Sequence, residues 1–416
     1  MTLSVELSGL QTAQTDLDTI GNNIANVSTN GFKASTANFG DLYSTSLLGA
    51  NSITSSPGLG ATTTSLSQLF TEGTISQTGN PLDVAISGNG FFQLQSSSGI
   101  VYSRDGSLQL NANGFLTNDT GDIVMGYAPV ANGNTAAAAG ALVPLQISES
   151  DIPAVATSAL TMQVTLPSSD LPIDTTTTPF SVTNAQSYNQ STTSTVYDSL
   201  GTPDTLTTYF TQVSGSGSPP NWATHWQLSN SAGTMIASGA GATMTFNSSG
   251  ALTAGSGTIT VNNLPDGAAS LNIAQKFTGS TLSDLQFGVT SISNNGNGGG
   301  QFAGLEISPT GEIQAQYSNG ATQNMGTIGL ANFTNPNGLT PTSNNNWLAT
   351  QSSGLPVANT PGTAGLGQLQ SGAIEGSNVD LSTQLVNLIV AQQAYQANVQ
   401  GINVDQQDVQ KLLTLQ

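Results

Sequence analysis

Few side chains in this 416-residue chain could carry out chemistry, and their spacing argues against most of it. His225, in "NWATHWQL", is the single histidine, which excludes a multi-histidine metal site and leaves one imidazole that could act only alone. Trp222 and Trp226 are four apart and share a face of any strand. Such a pair suits a carbohydrate platform, although core packing is the commoner use. "QLNANGFLTNDT" sets Asn111, Asn113 and Gly114 in a loop with the look of a calcium site, but Thr120 stands where a bidentate Glu is needed. "GNGGG" at 296–300 lacks the Lys-Ser/Thr pair of a phosphate-binding loop. The 23 acids show no spacing that marks a glycosidase pair, and triplets such as Asn26-Val27-Ser28 arise by chance in a chain this rich in Asn, Ser and Thr. We expect no catalytic residues, no cofactor, no metal, and no enzyme.

Charge sets the next limit. Four Lys and Arg against 23 Asp and Glu give a net charge of -19. Phosphate neutralisation needs clustered cations, so nucleic acid and anionic membrane surfaces are poor partners. Four basic residues cannot supply a salt-bridge network, so self-association must use apolar packing and amide or hydroxyl hydrogen bonds. Without cysteine, disulfides and thiolate metal sites are unavailable to the fold. No apolar run of signal-peptide length opens the chain, and none approaches the ~18 residues of a membrane span. Export without a cleaved leader and no membrane insertion are the expectations.

The elements that dominate the pattern lie at the two ends. Leu3, Leu7, Leu10, Leu17 and Ile24, with Gln14 and Gly21 between them, recur in steps of four and three. Asn30-Gly31 then reads as the turn that stops the helix. Near the C-terminus, Leu381, Leu385, Leu388, Tyr395, Val399, Ile402, Val409 and Leu413 follow the same rule, with Gln392 and Gln406 filling the gaps. This is a heptad seam. Asp380 suits the N-cap and Lys411 the last turn, where the helix dipole favours a cation. One stripe alone fits a helix lying on a globular core equally well; two, flanking a β-rich middle, favour pairing as a coiled coil.

Between the ends the period falls to two, with turn residues closing short strands, as in "IVYSRDGSLQLNANGFLTNDTGDIVMGYAP". The fold class is mixed and mainly β. The layout reads as nested: 1–30 with 372–416 a terminal helical domain, 31–75 a long extended linker, 76–145 with 286–371 an inner β domain, and 146–285 a β domain inserted into it.

Three stretches carry a resemblance. "LSGLQTAQTDLDTIGNNIANVSTNGFKAS" (7–35), "GNGFFQLQ" with "VYSRDGSLQLNANGFLTNDTGDIVMGY" (88–127) and "LQSGAIEGSNVDLSTQLVNLIVAQQAYQANVQ" (369–400) resemble the shared motifs of the bacterial flagellar rod and hook protein family. "VYDSLGTPDTLTTYF" (196–210) and 326–350 are similar to its hook branch, whereas distal rod members lack an inserted middle domain. Gln393 departs from the family, which often has Arg there. The resemblance implies a helical homopolymer forming the short curved tube between rod and filament, with the terminal helices lining its inside. It implies as partners other copies of the chain, a hook cap, distal rod and hook-filament junction proteins, and the flagellar type III export apparatus. A distal rod protein and a secreted β-rich adhesin are the alternatives.

Overall fold

The structure is a computed structural model that describes residues 2–42, 58–129, 140–213, 215, 219–262, 264–265 and 267–414. It is mainly β, with one long helix at each end: α1 (Thr2–Ala25) and α2 (Leu381–Thr414). The chain divides into two units, Met1–Glu149 with Leu305–Ala315 and Gln323–Gln416, and Ser150–Gly304 with Gln316–Thr322.

Helix α1 ends five residues before Asn30, and its last carbonyls are met by turn N–H groups of Asn26 and Val27. Asn23 ties the end of the helix to the chain that follows. Its carboxamide turns away from the helix to the Ser35 backbone, accepting from the N–H at 2.9 Å and donating to the carbonyl at 2.8 Å.

Where the sequence suggests an extended linker over 31–75, the described arms pair instead. β1 (Ser35–Asp41) and β2 (Ala61–Gln68) run antiparallel as a two-stranded ribbon, with a bulge at Asn38/Phe39. Asn38 Nδ2 donates to Ser67 Oγ at 2.9 Å, and Thr64 Oγ1 to the Asn38 carbonyl at 2.9 Å. Ser and Thr stand where aliphatics would normally alternate, so the strands leave no hydrophobic period to read.

In the first unit the strands Phe91–Ser96 and Gly99–Ser103 form a hairpin, and Phe91–Ser96 also pairs with Ile123–Tyr127. Two late strands return to this body: Gln368–Ser371 against Val84–Ser87, and Ala373–Glu375 against Ile75–Gln77. The core gathers Ile86, Phe92, Leu94, Leu116, Val124 and Leu330. An aromatic cluster of Phe91, Tyr102, Phe333 and Trp347 lies beside it, and Trp347 Nε1 donates to Gln68 Oε1 at 2.6 Å, seating the end of β2.

The second unit has two five-stranded sheets around one core. One takes the strands Gln190–Tyr197, Pro203–Gln212, Trp222–Ser229, Met235–Phe246 and Leu252–Ala254 in that order. In the other, Ala159–Pro167 lies parallel to Leu271–Lys276 and Thr281–Ser283 and antiparallel to Gly288–Asn294. That last pairing carries the unit past 285, to Gly304. Alternation does the sorting: Leu160, Met162, Val164 and Leu166 all point inward from one strand.

Hairpins here share a local rule. Asn230 Oδ1 accepts from the N–H groups of Ala232 and Thr234, and Gly233 takes φ +78° to let the strand return. Asn111 repeats it with Asn113, Phe115 and Gly114. The carboxamide mimics a backbone turn and glycine accepts the left-handed conformation. The calcium-like loop is therefore a hairpin turn.

Candidate assembly surface

Three contacts fix how α1 meets α2. Asn23 Nδ2 donates to Gln384 Oε1 at 3.3 Å, Gly9 lies against Asn398, and Gly401 lies against Glu6. Each advance along α1 is matched by an equal retreat along α2, so the helices run antiparallel in one register. A Cβ at Gly9 would sit 2.7 Å from Asn398 Oδ1, and one at Gly401 2.6 Å from Glu6 Oε1. A larger residue at either site would have to push that flexible side chain aside.

The stripe of α2 that loses solvent is Gln384, Leu388, Ala391, Tyr395, Asn398, Ile402 and Asp405. On α1 the corresponding positions include Glu6, Gly9, Ala13, Asp16, Ile20 and Asn23. The spacing is the expected four and three, but the face is turned by one position. Leu388, Tyr395 and Ile402 belong to both the expected and the observed stripe; Val399 is half-buried beside it. Leu10, Leu17 and Ile24 are likewise half-buried, on an α1 that the ribbon covers from a second side, Ser8 Oγ accepting from the Ala61 N–H at 3.1 Å. Leu7, Leu381, Leu385 and Val409 lie in solvent. The side chains of Leu3 and Leu413 fall outside the described residues.

The seam thus mixes small, amide and acidic residues with Ile20, Leu388, Tyr395 and Ile402, and a second row of bulky aliphatics on α2 faces away from it. Val386, Ile389 and Val390 are 60%, 54% and 59% exposed. Between Asp380 and Asp405, α2 carries no charge at all, so the Asp16 carboxyl has no cation opposite it, and burial pushes its pKa up. Asp380 caps α2 as expected, accepting from the N–H groups of Ser382 at 2.8 Å and Thr383 at 3.2 Å.

Where the two helices join the β strands, the fold buries an ion cluster. Glu375, fully buried, meets Lys33 Nζ at 2.6 Å through one oxygen and Arg104 Nη1 at 3.0 Å through the other. Lys33 also donates to the Thr71 carbonyl and Arg104 to that of Gly88, each at 2.7 Å. Burial pulls the Lys33 ammonium below its ordinary value, opposed by the Glu375 carboxylate. Composition argued against a salt-bridge network, yet two of the four cations are spent here. The available signal was local: Lys33 follows the Asn30-Gly31 turn and Arg104 precedes Asp105-Gly106. Gly31 itself, at φ +66°, fits against the Arg104–Asp105 backbone, and Asn30 Nδ2 donates to Ser107 Oγ at 3.2 Å.

The residues singled out for chemistry are placed otherwise. Trp222 and Trp226 point into the core of the second unit, so they form no sugar platform. His225 faces the opposite side of that strand, stacked on Phe180 with centroids 4.0 Å apart, and burial lowers its pKa. Among the described residues no three His, Cys, Asp or Glu side chains gather as metal ligands, and no helix is long and apolar enough to cross a membrane.

Family models match stretches along the chain. The family model "Flagella basal body rod protein" matches residues 3–33, which hold α1 and the following turn. "Flagellar hook protein FlgE/F/G D1 domain" matches 85–185, "Flagellar basal body protein FlaE D2 domain" 163–297, and "Flagellar basal body rod FlgEFG protein C-terminal" 370–415. The chain is 38% identical to the flagellar hook protein FlgE of Salmonella typhimurium and 39% identical to that of Escherichia coli, across 100% of each chain. Identity to the Borreliella burgdorferi protein of the same name is 31% over 98% of each. A crystal structure of Helicobacter pylori flagellar hook protein FlgE2 shares the fold, with a TM-score of 0.55 at 15% identity, covering 71% of this chain and 99% of that one. With likeness running from the first helix to the last, the chain belongs to the bacterial flagellar hook protein family.

Proposed function

We propose that the outward aliphatic faces of α1 and α2 are the contacts by which copies of this flagellar hook subunit join into a helical tube. The observation that carries the reading is a second, uncovered aliphatic face on α2. An isolated soluble helix pair hides its bulky side chains; here Leu381, Leu385, Val386, Ile389 and Val390 are left bare on a single helix. Covering the exposed half of each gives about 1 kcal/mol per side chain. Many copies multiply that gain, and an open array follows when a head-to-tail contact does not close on itself.

In this reading the expected seam residues, Leu3, Leu7, Leu10, Leu17, Ile24, Leu381, Leu385, Leu388, Tyr395, Val399, Ile402, Val409 and Leu413, divide between two tasks. Some hold α1 to α2 within one copy as a coiled coil; Leu7, Leu381, Leu385 and Val409 meet neighbouring copies. The helices line the tube and the β units face outward, with the ribbon of β1 and β2 yielding as the tube bends. Distal rod proteins lie below, hook-filament junction proteins above, and a hook cap covers the growing end. Subunits arrive through the flagellar type III export apparatus.

The test is a double variant, Ile389→Asp with Val390→Asp, observed by electron microscopy after seeding with wild-type tubes. The helix pair should survive by circular dichroism while growth stops. Growth at the wild-type rate would remove the outward face from the assembly contact.

A further inference from the structure

Chain segments far apart in sequence converge on one carboxylate. Glu375 accepts from Lys33 Nζ at 2.6 Å, from the Gly73 N–H at 2.9 Å and from Arg104 Nη1 at 3.0 Å. Its own carbonyl accepts from the Gly31 N–H at 2.8 Å. Next to it, Gly376 N–H donates to the Thr74 carbonyl, and the Asn378 carboxamide bridges the Ala34 N–H and the Leu69 carbonyl, both at 2.7 Å. These are the segments by which the chain passes between the helices and the β strands: after α1, after β2, and before α2. All of them cross here.

Stability alone does not call for ions at such a place. Well-packed apolar side chains of similar volume serve a buried site as well or better. What a carboxylate held at both oxygens adds is direction, because charge-assisted bonds fix angles that aliphatic contacts leave loose. Arg104 adds a second anchor through the carbonyls of Ile86 and Gly88, so the carboxylate is tied to the body of the sheet.

We propose that Glu375, Lys33 and Arg104 form a stiff joint that sets the angle at which the helix pair leaves the β strands. Force borne by the helices then passes into the strands without a hinge. Glu375 is a positioning residue for assembly, and the inference rests on the tube-subunit reading above.

Three full-length chains test it: wild type, Glu375→Gln, and the triple variant Lys33→Met, Arg104→Met, Glu375→Leu. The triple chain should melt close to wild type, yet grow from wild-type seeds about tenfold more slowly, since its helices are no longer preorganised. Its tubes should also bend more easily in electron micrographs. In the dilute triple chain the Gly31, Gly73 and Gly376 amides should exchange about tenfold faster, by loss of local stability. Wild-type growth, stiffness and exchange in the triple chain would overturn the joint. If the triple chain does not fold, Glu375→Gln decides: slowed growth and faster exchange in a folded chain support the joint, and unchanged values overturn it. A wild-type chain that never forms tubes would instead sink the subunit reading, and the exchange rates would still judge the joint.

Discussion

The second unit and the terminal helix pair solve the same problem in opposite ways. In the second unit Leu160, Phe210, Trp222 and Ile273 are wholly hidden between two sheets of the same chain. That core is complete within one copy. The helix pair hides Ala13, Ile20 and Ala391 and shows Val386, Ile389 and Val390. In the proposed assembly it is half of an interface. If that proposal holds, one chain carries a region whose stability is internal and another whose stability depends on concentration.

Mutations of equal kind should separate the two. The largest loss is expected from Trp222→Ala, about 3–5 kcal/mol of unfolding free energy by denaturant melts. Chains still folded should join tubes normally, and a growth defect at full folding would blur the contrast. Gly401→Leu comes next, because it must displace the Glu6 carboxylate and fit a branched side chain where the helices now touch. Overpacking of this sort costs about 1–3 kcal/mol, and the loss should appear as helix signal in circular dichroism with the second unit's melting unchanged. Ile389→Ala should be nearly silent in the dilute chain, within about 0.5 kcal/mol. In tubes it should raise the critical concentration about fivefold, the equivalent of about 1 kcal/mol of lost burial. Equal effects in both states would show that Ile389 already has its partner.

The smallest effect concerns pH. His225 holds a lowered pKa in the folded second unit. Below its ordinary 6.5 the unfolded chain binds a proton that the folded chain does not, so stability falls as pH falls toward the folded value. His225→Gln should flatten that slope in melts of the dilute chain between pH 5 and 7, roughly the range of an ordinary histidine titration.

How much of this could be read in the sequence depends on the physical signal each part leaves. Helices α1 and α2, the Asp380 cap and the hairpin turns announce themselves through period and turn chemistry. The heptad spacing was legible, and the facing side only in part, through Leu388, Tyr395 and Ile402. A search for bulky residues finds the stripe through Leu381 and Leu385, whereas the true seam is marked by Gly9, Ala391 and Gly401, whose small size permits contact. The ribbon of β1 and β2 was hidden because Ser and Thr carry little hydrophobic contrast. Glu375 was invisible for another reason: Lys33, Arg104 and Glu375 meet only through the fold, and no spacing relates them.

The most direct test of the central claim is amide exchange along residues 381–404, measured in the dilute chain and again in assembled tubes, with the strands around Phe210 and Trp222 as internal reference. Loosely held helices open far more readily than finished cores. In the dilute chain the helix amides should exchange at least about a hundredfold faster than the reference strands, and in tubes the two should converge. Full protection of 381–404 already in the dilute chain, unchanged by assembly, would contradict the account.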